Sequence, residues 1–241
     1  MISTGFGRPI PSHAKMSAVQ RISPLFQRDS RQLIQCSRLL AYPWLDHGFG
    51  TRQSAPPPLP VVTLKQIHSD VVIAVSGVED ALAQGDALIT SRRGIFLTVR
   101  TADCVPILIA DSRRRAVAAI HAGWRGTASS IAIKTVRRLR EEFDCAPVDL
   151  IAAIGPAIGG CCYEVGTDVL ERFQPWLDAS SLRRPFLDLA GVNRKQLLEA
   201  EIPAEHIFCA QACTKCASED FHSFRRDQAD AGRMESMVGI L

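Results

Sequence analysis

Two short apolar runs split by a polar turn constrain this chain more than any other feature. Val105-Pro106-Ile107-Leu108-Ile109-Ala110 and Ala116-Val117-Ala118-Ala119-Ile120 have the length of strands. Between them lies Asp111-Ser112-Arg113-Arg114-Arg115, a polar turn, so the pair reads as a β-hairpin. With Ala110 opposite Arg115, Cys104 falls opposite His121, because paired positions in a hairpin keep a constant sum. Directly opposed residues share a face with side chains ~5 Å apart. A thiolate and an imidazole so placed can share a metal, at ~2.3 Å to sulfur and ~2.1 Å to nitrogen. They can equally act as nucleophile and base. His68, in Gln66-Ile67-His68-Ser69, is a third candidate upstream.

With 241 residues, 46% of them apolar, the chain has the size and make-up of a soluble globular protein with a substantial core. The net charge of +3 is small, and no nucleic-acid-binding motif accompanies it, so no nucleic-acid partner is expected. No apolar run approaches the ~20 residues of a membrane span, and the N-terminus lacks the apolar core of a secretory signal. Neither membrane insertion nor secretion is expected. Eight irregularly spaced cysteines in such a chain read as reduced thiols or metal ligands in the cytoplasm.

Residues 1–38 carry Gly, Pro, Ser and Arg without a clear period and read as a poorly ordered N-terminal extension, dispensable for the core. Residues 39–241 read as one domain. The proline-rich stretch 54–60 is a stiff connector. Strands are expected over 61–65, 70–75, 86–90 and 95–100, before the hairpin. Thr127 is placed to cap a helix running to about Phe143, with Ala128, Ile131, Ala132, Thr135, Val136, Leu139 and Phe143 on one face. A strand over 150–154 then meets the glycine-rich stretch 155–166. Helices near 168–173 and 189–200 and strands over 207–210 and 234–241 complete the pattern. Without strict βαβ alternation, this favours a single α/β or α+β domain, a mixed β-sheet core flanked by helices.

His68, Cys104 and His121 stand at the ends of apolar strands, where functional groups sit on a rigid scaffold. Gly123 and Gly126 flank Trp124-Arg125 and let backbone approach a ligand closely, while Arg125 offers a planar fork to phosphate or carboxylate. Trp124 reads as a stacking platform for a flat ring or as core filler. Arg52 and Ser223-Phe224-Arg225-Arg226 supply further anion contacts, with Arg226 read as a surface residue. Asp103 reads as the carboxylate that fixes an imidazole tautomer, or as a turn cap. Cys209-x3-Cys213-x2-Cys216 resembles half a zinc site, but His222 fits structural spacings poorly, so these read as core or incidental thiols. Adjacent Cys161 and Cys162 are poorly arranged for an unstrained disulfide.

Several blocks occur in an order that carries a resemblance. They are Gly48-Phe49-Gly50-Thr51-Arg52, Gln66-Ile67-His68-Ser69, Gly85-Asp86-Ala87-Leu88-Ile89-Thr90 and Thr101-Ala102-Asp103-Cys104-Val105-Pro106. His121-Ala122-Gly123-Trp124-Arg125-Gly126, Cys161-Cys162-Tyr163-Glu164-Val165 and Ser223-Phe224-Arg225-Arg226 follow. Together, over roughly residues 46–241, they resemble the YfiH or laccase-domain family. Its members are called multicopper polyphenol oxidases and purine nucleoside phosphorylases.

The resemblance implies that residues 39–241 form a single metal-dependent catalytic α/β domain similar to a cysteine deamidase toxin fold. It also implies a metal, usually zinc and alternatively copper, on the residues matching His68, Cys104 and His121. The implied activities are phosphorolysis of adenosine, inosine and methylthioadenosine, and deamination of adenosine. Purine nucleosides and phosphate are the implied partners. An older label, copper-dependent phenol oxidation, attaches to the same site, and some bacterial members are linked to peptidoglycan editing. This chain departs in the stretch 53–60, which is shorter than the family pattern and removes part of the wall implied for the nucleoside.

Two histidines and one cysteine leave the open fourth position of a catalytic zinc site. Arg52 and Arg125 are the expected phosphate contacts, by charge-assisted bidentate bonds. A cysteine hydrolase using Cys104 and His121 is the main alternative. One cysteine and two histidines do not supply the several copper sites of multi-electron oxygen reduction. A non-enzymatic binding module is the remaining reading.

Overall fold

The computed structural model of the protein describes residues 22–58, 60–81 and 83–241, the side chain of residue 183 excepted. Its first elements lie where a loose extension was expected. β1 (Phe26–Arg28) and β2 (Ile34–Cys36) form an antiparallel hairpin. This hairpin buries Phe26, Leu33, Ile34 and Cys36 in the body of the protein. Next comes β3 (Leu45–Gly48), and the Cys36 N–H donates to Nε2 of the buried His47 on that strand at 2.9 Å. Burial lowers the His47 pKa to about 4, so the ring stays neutral and can accept that bond. Arg31 adds a two-pronged bond to Asp46 at 2.7 and 2.8 Å. The boundary at residue 38 is therefore corrected: residues 22–38 are part of the body. Strands of three residues show no period, which is why composition alone read as a tail. Residues 1–21 lie outside the described residues.

Five short strands follow: β4 (Val61–Thr63), β5 (Val72–Ala74), β6 (Ala87–Thr90), β7 (Phe96–Thr101) and β8 (Val105–Asp111). Then come β9 (Val117–Ala122), α1 (Trp124–Ala128), α2 (Ile131–Phe143) and β10 (Leu150–Ile154). The chain closes with α3 (Thr167–Glu171), α4 (Leu189–Glu199), β11 (Ile207–Cys209), α5 (Phe224–Asp227) and β12 (Met234–Ile240). A six-stranded mixed sheet runs β11-β10-β8-β9-β6-β5, and a four-stranded sheet runs β3-β12-β7-β4. The result is the expected single mixed-sheet α/β domain. Among the described residues, no helix is long and apolar enough to cross a membrane.

Alternation along β8 and β9 builds the layers. Ile107, Ile109, Ala118 and Ile120 belong to a core with α2 and α4, whereas Leu108, Ala110, Val117 and Ala119 pack towards β7 and β12. With both faces covered, every residue of these strands is buried. That is why they read as continuous apolar runs rather than as alternating ones.

The hairpin forms, but its register differs by two residues from the expected one. Pro106, not Cys104, lies opposite His121, and Ala110 pairs with Val117. The turn sets this shift. Asp111 accepts the N–H groups of Arg113 and Arg114 at 2.7 and 2.6 Å, and its own N–H donates to Ala116 O at 2.8 Å. Its carboxylate centres the turn one residue further along the chain than expected. An even shift keeps each side chain on its face, so Cys104 still projects on the same side as His121.

The expected helix from Thr127 is two helices, broken at Ser130 with φ 62°. Thr127 is not its cap. It is buried inside α1, accepting Asn193 Nδ2 on its hydroxyl at 3.0 Å and Gln196 Nε2 on its carbonyl at 2.7 Å. Gln196 and Asn193 lie on α4, so Thr127 fastens that helix to the sheet end that carries His121. Of the face expected for this helix, Ile131, Ala132, Thr135, Val136 and Leu139 are buried on α2, whereas Phe143 is half-buried and Ala128 belongs to α1.

Ile34→Ala tests the corrected boundary. Removing this fully buried side chain should cost about 2–5 kcal/mol, read as a lower midpoint in urea at unchanged slope.

Candidate metal centre and its cavity

Asp86, fully buried at the head of β6, organises the site. It accepts the backbone N–H groups of Ile67, His68 and Ser69 at 3.3, 3.0 and 2.6 Å, and the Ser69 hydroxyl at 2.6 Å. These bonds hold His68 in the left-handed region, with φ 58°. The same carboxylate lies 2.8 Å from His121 Nδ1. Burial pushes the Asp86 carboxyl up, but the bonds from His121 and Ser69 outweigh it and hold it at about 2. It is therefore ionised and acceptor-only, so His121 donates from Nδ1 and Nε2 is the nitrogen available to a metal.

The nitrogen and sulfur ligand atoms of His68, Cys104 and His121 all lie within 4.8 Å of one another. The two imidazoles meet edge to face, with centroids 4.9 Å apart at 80°. Burial raises the Cys104 thiol, yet hydrogen bonds with His121 and His68 prevail and bring it down to about 6. Burial likewise lowers His121, but its bonds to Asp86 and Cys104 raise it to about 9. The metal-free cluster thus favours a thiolate beside an imidazolium. That pairing of a soft thiolate with imidazole nitrogens, one fixed by a carboxylate, is a donor set suited to a transition metal. Exposure grades from buried His121 through Cys104 to exposed His68, which leaves the cluster open on the cavity side.

Gly123 and Gly126 serve this cluster rather than a ligand directly. A Cβ on Gly123 would lie 3.0 Å from the His68 ring and 3.2 Å from Cys104 Sγ; one on Gly126 would lie 2.6 Å from Ser69 O. The start of α1 can close on the His68 loop because both positions lack a side chain.

Asp103 does not orient an imidazole, as had been one of its expected roles. It accepts the Thr214 hydroxyl and the Arg225 N–H, both at 2.6 Å, and so ties the C-terminal loops to the Cys104 turn. The orienting carboxylate is Asp86, 35 residues from His121 in sequence. Its signal in the sequence is a single acidic residue heading an apolar strand.

A cavity of about 870 Å³ opens over the cluster. His68, Cys104, His121, Trp124 and Arg125 all line it, as do the aromatic rings of Tyr163 and Phe224. Lys65, Arg100, Arg225 and Arg233 bring its cations to five with Arg125, whereas Asp103, both oxygens engaged, is its one acid among the described residues. Arg125 stacks 4.4 Å from the Trp124 ring centre, and Arg225 lies 5.2 Å from that of Tyr163. Arg52 is not brought to this wall. Its guanidinium donates to Phe221 O and to Asp227, both at 3.0 Å, which corrects its expected role as an anion contact. Arg226 is no free surface residue either, since it donates to the carbonyls of Thr214, Lys215 and Phe221. None of the described residues of the short stretch 53–60 lines the cavity. Elsewhere, where Cys209, Cys213 and Cys216 were read as core or incidental thiols, Cys213 and Cys216 join Cys161 and Cys162 in a second cluster of ligand atoms that leaves Cys209 out.

A mixed-sheet domain with a His–Cys–His cluster beneath a cationic cavity defines a small-molecule site with a candidate metal centre. Residues 51–241 match the family described as multi-copper polyphenol oxidoreductase laccase, and the chain belongs to that family. It is 37% identical over 179 residues to a purine nucleoside phosphorylase of Clostridium acetobutylicum, covering 73% of this chain and 75% of the relative. It is 42% identical over 164 residues to adenosine deaminase RL5 of an unknown prokaryotic organism, covering 64% and 62%. The crystal structure of YlmD from Geobacillus stearothermophilus superposes with a TM-score of 0.79 at 30% identity, covering 90% of this chain and 98% of that one.

Asp86→Asn should weaken metal binding by about 10–100-fold in a competition titration with a chromogenic chelator, because the imidazole loses its fixed tautomer. The carboxyl titrates near 3.9 in the unfolded chain and about 2 here, so its contribution to stability is complete above roughly pH 4 and is lost as pH falls towards 2. The stability gap between wild type and Asp86→Asn should narrow over that window, measured by denaturant unfolding.

Proposed function

We propose that this chain is a zinc-dependent purine nucleoside enzyme that cleaves adenosine, inosine and methylthioadenosine by phosphorolysis and deaminates adenosine. The observation that carries this reading is the cationic, aromatic-walled cavity directly over the His68–Cys104–His121 cluster. A purine offers a flat ring, and Trp124, Tyr163 and Phe224 offer faces for stacking. Phosphate is a dianion, and Arg125 and Arg225, each already set against an aromatic ring, are the cations best oriented to grip it. The names borne by the phosphorylase and deaminase relatives point the same way.

His68, Cys104 and His121 would hold the zinc. When bound, it supplies Lewis-acid activation to the reacting oxygen of phosphate, sugar or water. Asp86 keeps the His121 Nδ1 proton in place throughout, so that Nε2 never competes for it. Trp124 and Tyr163 exclude water from one edge of the base, and Arg125 positions the anion. Copper at the same cluster is the weaker reading. A blue-copper site adds a weak axial ligand, commonly methionine, and no methionine lines the cavity among the described residues. None of the eight cysteines is paired in a disulfide, which supports the cytoplasm as the working compartment.

The lowered Cys104 thiol also supports a second reading, a cysteine hydrolase with His121 as base. The two readings separate on metal. Zinc-loaded protein should convert adenosine to inosine without phosphate, and to adenine and ribose 1-phosphate with it, followed by chromatography. His121→Ala should cut both activities by orders of magnitude, because the ligands act as a unit. Full activity of metal-stripped protein would favour the hydrolase, and no turnover by zinc-loaded protein would end the nucleoside assignment.

Arg125→Ala separates the two activities. It should lower phosphorolysis more than deamination, seen as a raised KM for phosphate, if this guanidinium grips the anion. An equal loss in both would assign Arg125 to the base or to packing against Trp124.

A further inference from the structure

We propose that Cys161, Cys162, Cys213 and Cys216 form a second metal site, a structural tetrathiolate of the zinc type. It shares no residue with the His68 cluster and does not depend on the nucleoside reading. The four sulfurs lie within 4.8 Å of one another, with Cys216 at 3.8 Å from Cys161 and 3.4 Å from Cys162. Sulfurs ~2.3 Å from one tetrahedral zinc sit about 3.8 Å apart. A disulfide would need about 2.05 Å. The observed spacing is that of thiolates around a common cation, not of a covalent pair.

Two loops converge to make the cluster. In the first, the N–H groups of Cys162 and Tyr163 both donate to Gly159 O, at 2.9 and 3.0 Å. In a strand, adjacent side chains point to opposite faces. This turn instead delivers both Cys161 and Cys162 to one side. In the second, Cys213 and Cys216 have the two-residue spacing of paired zinc ligands, closed by an Ala217 N–H bond to Cys213 O at 3.0 Å. A single bridge joins the loops: Ala157 N–H donates to Ala212 O at 3.2 Å, and Thr214 N–H to Ala157 O at 3.0 Å.

The surroundings fit thiolates. Gly159 N–H donates to Cys213 Sγ at 3.3 Å, the backbone support that a ligating sulfur receives. A Cβ on Gly159 would lie 3.2 Å from Cys161 Sγ and 3.4 Å from Cys213 Cβ, so the approach depends on glycine. Packing as small hydrophobes does not explain the group, since Cys161 and Cys216 are exposed. Regular structure is sparse here: residues 155–166 and 210–223 contain isolated bridges and turns but no helix or strand. A metal would supply the cross-link that a sheet ladder supplies elsewhere. It would brace Tyr163 on the cavity wall, and Thr214, which holds Asp103.

Metal content tests this without reference to activity. Zinc-saturated wild type, freed of excess by gel filtration, should carry about two zinc ions per chain. Cys104→Ala/His121→Ala should lose one, and Cys161→Ser/Cys216→Ser, which alters exposed residues, should lose the other. Loading with cobalt(II) reads the donor set directly. The Cys104→Ala/His121→Ala protein should keep the intense sulfur-to-cobalt charge-transfer and tetrahedral ligand-field bands, a readout that requires no change to the four cysteines. Unchanged zinc in Cys161→Ser/Cys216→Ser would overturn the proposal. So would absence of the cobalt–thiolate bands in Cys104→Ala/His121→Ala, or a disulfide among these four cysteines in peptide maps of protein alkylated under native, reducing conditions.

Discussion

The site depends on one buried carboxylate. Asp86 accepts five hydrogen bonds, four from the His68 loop and one from His121. A lone buried charge is costly, and it is retained where hydrogen bonds and a partner charge compensate it. Here the compensation is also the assembly step. Two candidate ligands from distant parts of the chain share a single acceptor, so the position of one imidazole is tied to that of the other. The unusual backbone at His68 follows from the same bonds.

Around this point the fold supplies stiffness. β8 and β9 are covered by helices on one face and by a second sheet on the other, leaving little room for their ends to drift. Cys104 and His121 emerge from that double-sided packing, whereas His68 comes from a loop that α1 closes upon. The cavity wall differs in kind. Its cations and aromatic rings come from short segments far apart in the chain, bound to the scaffold through Asp103 and through side-chain contacts with backbone carbonyls.

The elements legible in the sequence were those with an unbroken local pattern. The hairpin, α2, α4, β10 and β12 each carry an apolar run or a helical face long enough to register. β1, β2 and β3 are three or four residues long and owe their existence to tertiary contacts such as that between Cys36 and His47. Cys104 and His121 were legible because each stands at the end of a strand, whereas His68 lies in the loop between β4 and β5. Their arrangement was less so, because Asp111 sets the register through a side-chain turn that a count of loop residues does not reveal. Arg125 and Arg225 were read as anion contacts, but Asp86 and the other cations of the wall, Lys65, Arg100 and Arg233, escaped for a common reason. What defines them is a partner tens of residues away, and no local pattern records that.

The place of β12 has a consequence for how the molecule comes into being. This last strand lies between β3 and β7, pairing with both, and it draws Leu241 N–H onto Trp44 O. Until residues 234–240 arrive, two facing strand edges and the apolar side of β8 and β9 have no cover. Contacts of such long sequence separation form late and slowly. A nascent chain therefore carries an open sheet until β12 is made, and that strand closes the core that the first described residues begin.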